Sequence, residues 1–179
     1  IYQHFAAIAS VSEWPVMLYN VPGRTSSNIA ASTCIRLAGD FQEDIIGIKE
    51  ASGDFTQVMD ILAERPEGFL VVSGDDALTL PMIAAGGDGV ISVIGNAYPS
   101  QMSTMVASAL DGSYEKAREL HYRLFPMIKA IFKEGNPSGV KASMEIQAWI
   151  DNALRLPLIP VTNSLYEEIG RLDARLRKS

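Results

Sequence analysis

A phenol at Tyr19, a guanidinium at Arg24 and a primary amine at Lys49 stand close enough in the chain to serve one reaction. Tyr19 ends an apolar run, Pro15-Val16-Met17-Leu18, and Arg24 follows it after Asn20-Val21-Pro22-Gly23. Lys49 ends a second apolar run, "IIGIK". A neutral lysine amine attacks carbonyl carbons and forms Schiff bases. A phenol beside it can relay protons. A guanidinium can grip a carboxylate with two parallel hydrogen bonds. Together the three groups suit a small anionic carbonyl compound. Each also has a plainer reading. Tyr19 could be a rim aromatic with a satisfied hydroxyl, Arg24 a surface residue, and Lys49 a strand-end lysine reaching solvent beside Glu50.

The elements around them decide between these readings. Residues 2 to 12 have helical periodicity, with Phe5, Ile8 and Ala9 on one face. Four β-rich runs follow, at Val16 to Asn20, Ile45 to Glu50, Phe69 to Ser73 and Gly89 to Ile94. Helical patterns follow each of them, at Ala30 to Ala38, Phe55 to Glu64, Ala77 to Ala85 and Pro99 to Leu110. Alternating βα units predict a parallel sheet covered by helices, and strands apolar on both faces agree.

An open doubly wound sheet and a (β/α)8 barrel both fit this alternation. Four units make half a barrel, since a complete one takes roughly 250 residues. The first residues, "IYQHFAAIA", read as the middle of an amphipathic helix, so the chain is expected to be part of a longer protein. In parallel α/β folds ligands bind at the carboxyl ends of the strands. Tyr19, Lys49 and Ser73-Gly74-Asp75-Asp76 are all predicted there. Lys49 is expected to share a face with Ile45 and Gly47, above an empty position. Pro22-Gly23 suits the centre of a type II turn that would hold Arg24 over the strand end.

Beyond the fourth unit only helices are expected, at Tyr114 to Phe132, Ser138 to Ile150 and Leu165 to Leu176. The predicted organisation is therefore a half-barrel at residues 1–112 and a three-helix domain at 113–179. Such appendages often pack between subunits.

Bulk properties narrow the partners. The 179 residues carry a net charge of -6 and a pI near 4.9, which argues against nucleic acid. No apolar run approaches the roughly 20 residues needed to span a bilayer, and no secretion signal is visible. The single cysteine, Cys34, favours a reducing compartment, hence the cytoplasm. Asp75-Asp76 reads as a helix N-cap in preference to a metal site. "GGDGVIS" precedes a strand and lacks the strand-to-helix context of a dinucleotide loop. His4 and His121 have no second ligand at metal spacing, so no metal is expected.

"LYNVPGRT", "IIGIKEASGD", "SGDDALTLPMIAAGGDGVISV" and "GNPSGVKA" closely resemble the dihydrodipicolinate synthase (4-hydroxy-tetrahydrodipicolinate synthase) family, from Tyr2 to about Pro160. The wider group of pyruvate-dependent class I aldolases and lyases, N-acetylneuraminate lyase included, shares the lysine and the tyrosine. The arginine of "VPGRT" points to the synthase. The resemblance implies the second half, strands five to eight, of a (β/α)8 barrel with a C-terminal helical domain, usually in a homotetramer. It implies condensation of pyruvate with aspartate semialdehyde, the first committed step of diaminopimelate and lysine biosynthesis, without a metal or organic cofactor.

By the same resemblance Lys49 is the Schiff-base lysine and Tyr19 the proton-relaying tyrosine. Arg24 binds the aldehyde's carboxylate, and Ile91 in "GVISV" lends a backbone carbonyl. The family's Gly-Thr-Thr loop for the pyruvate carboxylate and its second tyrosine are absent here, so the chain alone is expected to be inactive. Two alternatives stay open: another 2-keto-acid aldolase of this family, or a non-catalytic barrel remnant.

Overall fold

The computed structural model describes residues 1–177. Their Cα packing forms two compact units, one ending at Ile91 and one beginning at Ser92.

The first unit runs α1 (Tyr2–Ala9), β1 (Val16–Asn20), α2 (Pro22–Thr25), α3 (Ala31–Asp40), β2 (Ile45–Glu50), α4 (Phe55–Glu64), β3 (Leu70–Ser73), α5 (Thr79–Ala84) and β4 (Gly89–Val90). The strands form one parallel sheet in the order β1-β2-β3-β4, so β1 and β4 are its edges among the described residues. One face of this sheet carries the core. Leu18, Ile48 and Val71 lie there with Cys34 and Leu37 of α3 and Val58 and Ile61 of α4. Each fully buried aliphatic side chain of this kind contributes roughly 1.5–3 kcal/mol. Asp54 starts α4 by accepting hydrogen bonds from the Thr56 and Gln57 amides at 3.0 and 3.1 Å, which satisfies two orphan donors of the first turn.

Register places the chemistry. Tyr19 pairs with Lys49, Lys49 with Val72, and Val72 with Gly89, in one row across the sheet. The next row is Asn20, Glu50 and Ser73. Because successive side chains point to opposite faces, the two rows serve different sides. Asn20, Glu50 and Ser73 are buried, whereas Tyr19 is 44% exposed and Lys49 half-buried.

Several local expectations give way. Met17 pairs with Gly47 although Val16 pairs with Ile45, so Ile46 is skipped by the β1 ladder. A bulge of this kind shifts the alternation. Ile45 accordingly joins the core cluster with Leu18 and Ile48, instead of sharing the face of Lys49. Nor is the position at Gly47 empty. A Cβ there would sit 2.6 Å from the Leu70 carbonyl oxygen.

The fourth strand ends at Val90 instead of Ile94. Ser92 Oγ accepts from the Gly95 amide at 2.7 Å, and a 3-10 turn spans Ile94–Asn96. Ser, Gly and Asn turn chemistry here overrides the apolar pattern. Pro22-Gly23 opens the short helix α2 instead of a type II turn. Pro22 occupies a first-turn position, where its missing N–H costs nothing, and Gly23 has no positive φ. Asp75 likewise caps no helix. Its carboxylate accepts from the Ala77 amide at 2.8 Å in an Asx turn, and α5 begins at Thr79.

The second unit holds the 3-10 turn and α6 (Pro99–Leu110), α7 (Tyr114–Phe132), α8 (Ser138–Ile146) and α9 (Asn163–Arg177). Helix α7 contacts α6, α8 and α9, and its Leu124, Met127, Ile128 and Ile131 are buried at helical spacing. Tyr98 donates to Asp173 at 2.9 Å, and Arg177 pairs with the same carboxylate at 2.7 Å.

Candidate active site

The C-terminal ends of β1 and β2 bring Tyr19 and Lys49 onto the open face of the sheet. The Lys49 ammonium lies over the Tyr19 ring, 4.1 Å from its centroid. This is a cation–π contact, made through the ring face and enforced by their direct cross-strand pairing. The lysine's stem has little room. A Cβ on Gly74 would stand 3.0 Å from Lys49 Cε, 3.2 Å from its Cγ and 2.7 Å from Ala51 Cβ. Gly74 directly follows β3, so the neighbouring strand end leaves space for the lysine by lacking a side chain.

Arg24 is exposed on α2, directly after β1. Its amide donates to the Val21 carbonyl at 2.9 Å, and Ser26, with φ 54°, ends the turn. Ile91 follows β4. Its amide donates to the Ser73 carbonyl at 2.9 Å, which extends the ladder by one bond, and its side chain is 46% exposed. All four sequence-predicted residues therefore lie at the carboxyl edge of one sheet. Among the described residues no group of three or more His, Cys, Asp or Glu could hold a metal ion. No described helix is long and apolar enough to cross a membrane.

Sequence reasoning missed the polar residues on the reverse face. Asn20 donates to Glu50 and to Asn28, both at 2.8 Å. Gln57 donates to Glu50 at 3.2 Å, and Asn28 donates to Gln57 at 2.8 Å. The Ser52 amide donates to the other Glu50 oxygen at 2.6 Å, and the Ile29 amide to Asn20 at 2.9 Å. Their signal was the strand pattern: a polar residue follows both Tyr19 and Lys49, at the positions that must turn toward the core. Cys34 lies near this group. Burial first, and the Glu50 charge second, push its thiol up to about 12.

Comparison with known proteins settles the family. The family model described as the dihydrodipicolinate synthetase family matches residues 1–174. The chain belongs to that family. It is 49% identical over 178 residues to the 4-hydroxy-tetrahydrodipicolinate synthase of Flavobacterium psychrophilum, a match covering 99% of this chain and 60% of that protein. It is 46% identical to the Bacillus subtilis enzyme of the same name, over 90% of this chain and 56% of that one. The chain thus spans about 60% of the length of such relatives.

The solved dihydrodipicolinate synthase of Thermotoga maritima superposes with a TM-score of 0.95 at 38% identity, covering 98% of this chain and 60% of its own. A dihydrodipicolinate synthase variant described as the first monomeric one matches with a TM-score of 0.93, also at 38% identity. The α/β fold of these enzymes is therefore shared by the present chain.

Proposed function

We propose that this chain is the second half of a (β/α)8 barrel, β1 to β4 being strands five to eight, followed by a C-terminal helical domain. In this reading residues 1–112 are the barrel half and 113–179 the appendage. The whole protein is a 4-hydroxy-tetrahydrodipicolinate synthase that condenses pyruvate with aspartate semialdehyde. The observation that carries the proposal is the Lys49 amine seated over the Tyr19 ring at the carboxyl ends of adjacent parallel strands. The names of the relatives support the substrates.

The neutral Lys49 amine attacks the pyruvate carbonyl and water leaves, giving an imine. Loss of a methyl proton gives the enamine, whose carbon attacks the aldehyde carbon as the aldehyde oxygen takes a proton. The adduct's amine then attacks the imine carbon and expels Lys49, which closes the ring. The imine is the electron sink for these steps. Tyr19 carries the protons, Arg24 holds the carboxylate of the second substrate, and the Ile91 carbonyl lines the site.

The missing carboxylate loop and second tyrosine belong to residues upstream in the full-length protein, so the present chain is inactive alone. The same reading makes the enzyme a cytoplasmic homotetramer of lysine and diaminopimelate biosynthesis. Borohydride reduction of the full-length protein with pyruvate tests it. One reduced pyruvate per subunit, followed by consumption of aspartate semialdehyde in turnover, is expected. No adduct would return the protein to a non-catalytic role. An adduct with turnover of a different aldehyde would make it another 2-keto-acid aldolase.

A further inference from the structure

We propose that Asn20, Asn28, Glu50 and Gln57 form a closed hydrogen-bonded ring that positions the reactive face from behind. Asn20 and Glu50 are 1% and 2% exposed. Each immediately follows a residue of the ammonium–ring pair, Tyr19 and Lys49 respectively. Asn28 and Ile29 belong to the segment that carries Arg24, and Gln57 is on the first turn of α4. The ring therefore ties two strand ends, the Arg24 segment and one helix at a single point.

Its polarity is fixed by backbone groups that can only donate. The Ile29 N–H points at Asn20 Oδ1, so the Asn20 amide nitrogen must face Asn28 and Glu50. The Ser52 N–H points at Glu50 Oε1, so that oxygen must accept. Glu50 Oε2 must accept as well, from Asn20 and Gln57. Two accepting oxygens are what a carboxylate provides and a carboxamide does not. Glutamine at position 50 would turn a donor toward a donor in either orientation, although it preserves shape. A buried donor left without an acceptor is expensive, and such networks are strong only when every member is satisfied.

Asn20, Asn28, Glu50 and Gln57 are positioning residues, since none needs to touch substrate. The same logic specifies a repair. In the exchange variant Asn20→Asp/Glu50→Gln every bond of the ring can reverse. The introduced glutamine donates to the introduced aspartate and to Gln57, Gln57 donates to Asn28, and Asn28 donates to the aspartate. The aspartate still accepts from the Ile29 amide, and the introduced glutamine's oxygen still accepts from Ser52.

The activity arm of the test rests on the proposed reaction; amide exchange does not. In the full-length protein, Asn20→Asp and Glu50→Gln alone should each speed exchange at the Ile29 and Ser52 amides. Each should lower kcat/KM for aspartate semialdehyde by about tenfold or more. The exchange variant should recover wild-type exchange and come within about threefold of wild-type kcat/KM. Single variants indistinguishable from wild type, or a double variant no better than the worse single, would overturn the ring.

Asn28→Ala removes the one exposed member of the ring, with its bonds to Asn20 and Gln57, so it serves if the buried variants fail to fold. It should raise KM for the aldehyde and loosen residues 21–29 while pyruvate still labels Lys49. Unchanged KM and unchanged exchange in Asn28→Ala would also overturn the proposal. If wild-type protein forms no pyruvate adduct, the reaction is wrong and the amide-exchange arm still decides the ring.

Discussion

Lys49 and Tyr19 are direct partners across β1 and β2, and the lysine ammonium rests 4.1 Å from the centre of the tyrosine ring. The relationship is built by the backbone. Neighbouring strands lie roughly 4.7–4.9 Å apart, so the side chains of direct partners on one face meet without a long reach. One face therefore presents a lysine side chain and a phenol together.

Lys49→Arg keeps a cation over the ring and removes the proposed nucleophile. A guanidinium stays protonated and forms no imine. The full-length variant should fold, with a Tm close to wild type, and take up no pyruvate on borohydride reduction. Peptide mapping of the wild-type adduct should place it on Lys49. A label on Lys141 or another lysine would reject the assignment.

Arg24→Ala separates the roles proposed for the two substrates. Arg24 is exposed on α2, away from the packed core, so stability should change little. Losing a charged hydrogen-bond partner costs about 1.5–3 kcal/mol, or roughly ten- to a hundredfold. That loss should appear in kcat/KM for aspartate semialdehyde, while the rate of pyruvate labelling persists. Wild-type kinetics for the aldehyde would leave Arg24 as a surface residue.

The bounds of β1 and β2 were legible because an apolar run ending in a polar group, next to breakers, has few alternatives as a strand. The strand-end positions of Tyr19 and Lys49 were legible for the same reason. The bulge at Ile46 was not, since nothing in "IIGIKE" marks one residue as extra; only the partner strand does. Gly74 stood inside a noted motif, yet its use is spatial and depends on the Lys49 stem beside it. The ring of Asn20, Asn28, Glu50 and Gln57 escaped notice because its members are scattered in sequence and meet only once strands and helix pack.

Cys34 gives a pH prediction. Its thiol is fully buried, and burial, with the Glu50 charge second, raises it from near 9 to about 12. A raised acid keeps its proton in the folded state after the unfolded chain has lost it. Its contribution to stability is therefore complete below pH 9 and is lost as pH rises from about 9 to about 12. Between those values the stability advantage of wild type over Cys34→Ala, followed by urea unfolding, should shrink steadily. At pH 8 the native thiol should resist alkylation that labels it at once in urea. Equal labelling rates in the two states would contradict this burial.

Gly74→Ala tests whether the space beside Lys49 matters for chemistry or only for packing. Gly74 has no positive φ, so alanine meets no backbone penalty. By itself such a change would even stabilise slightly, through the unfolded chain. The obstacle is contact. The new Cβ would lie 2.7 Å from Ala51 Cβ and 3.0 Å from Lys49 Cε. The first contact involves a Cβ fixed to the backbone directly after β2, and the second a flexible stem that can swing away. Stability should therefore fall through Ala51, and imine formation through Lys49. Adding Ala51→Gly relieves the first clash and leaves the second, so the double variant should regain Tm while pyruvate trapping stays slow. If trapping recovers in step with Tm, Gly74 matters only for packing, and the lysine needs no space reserved by β3.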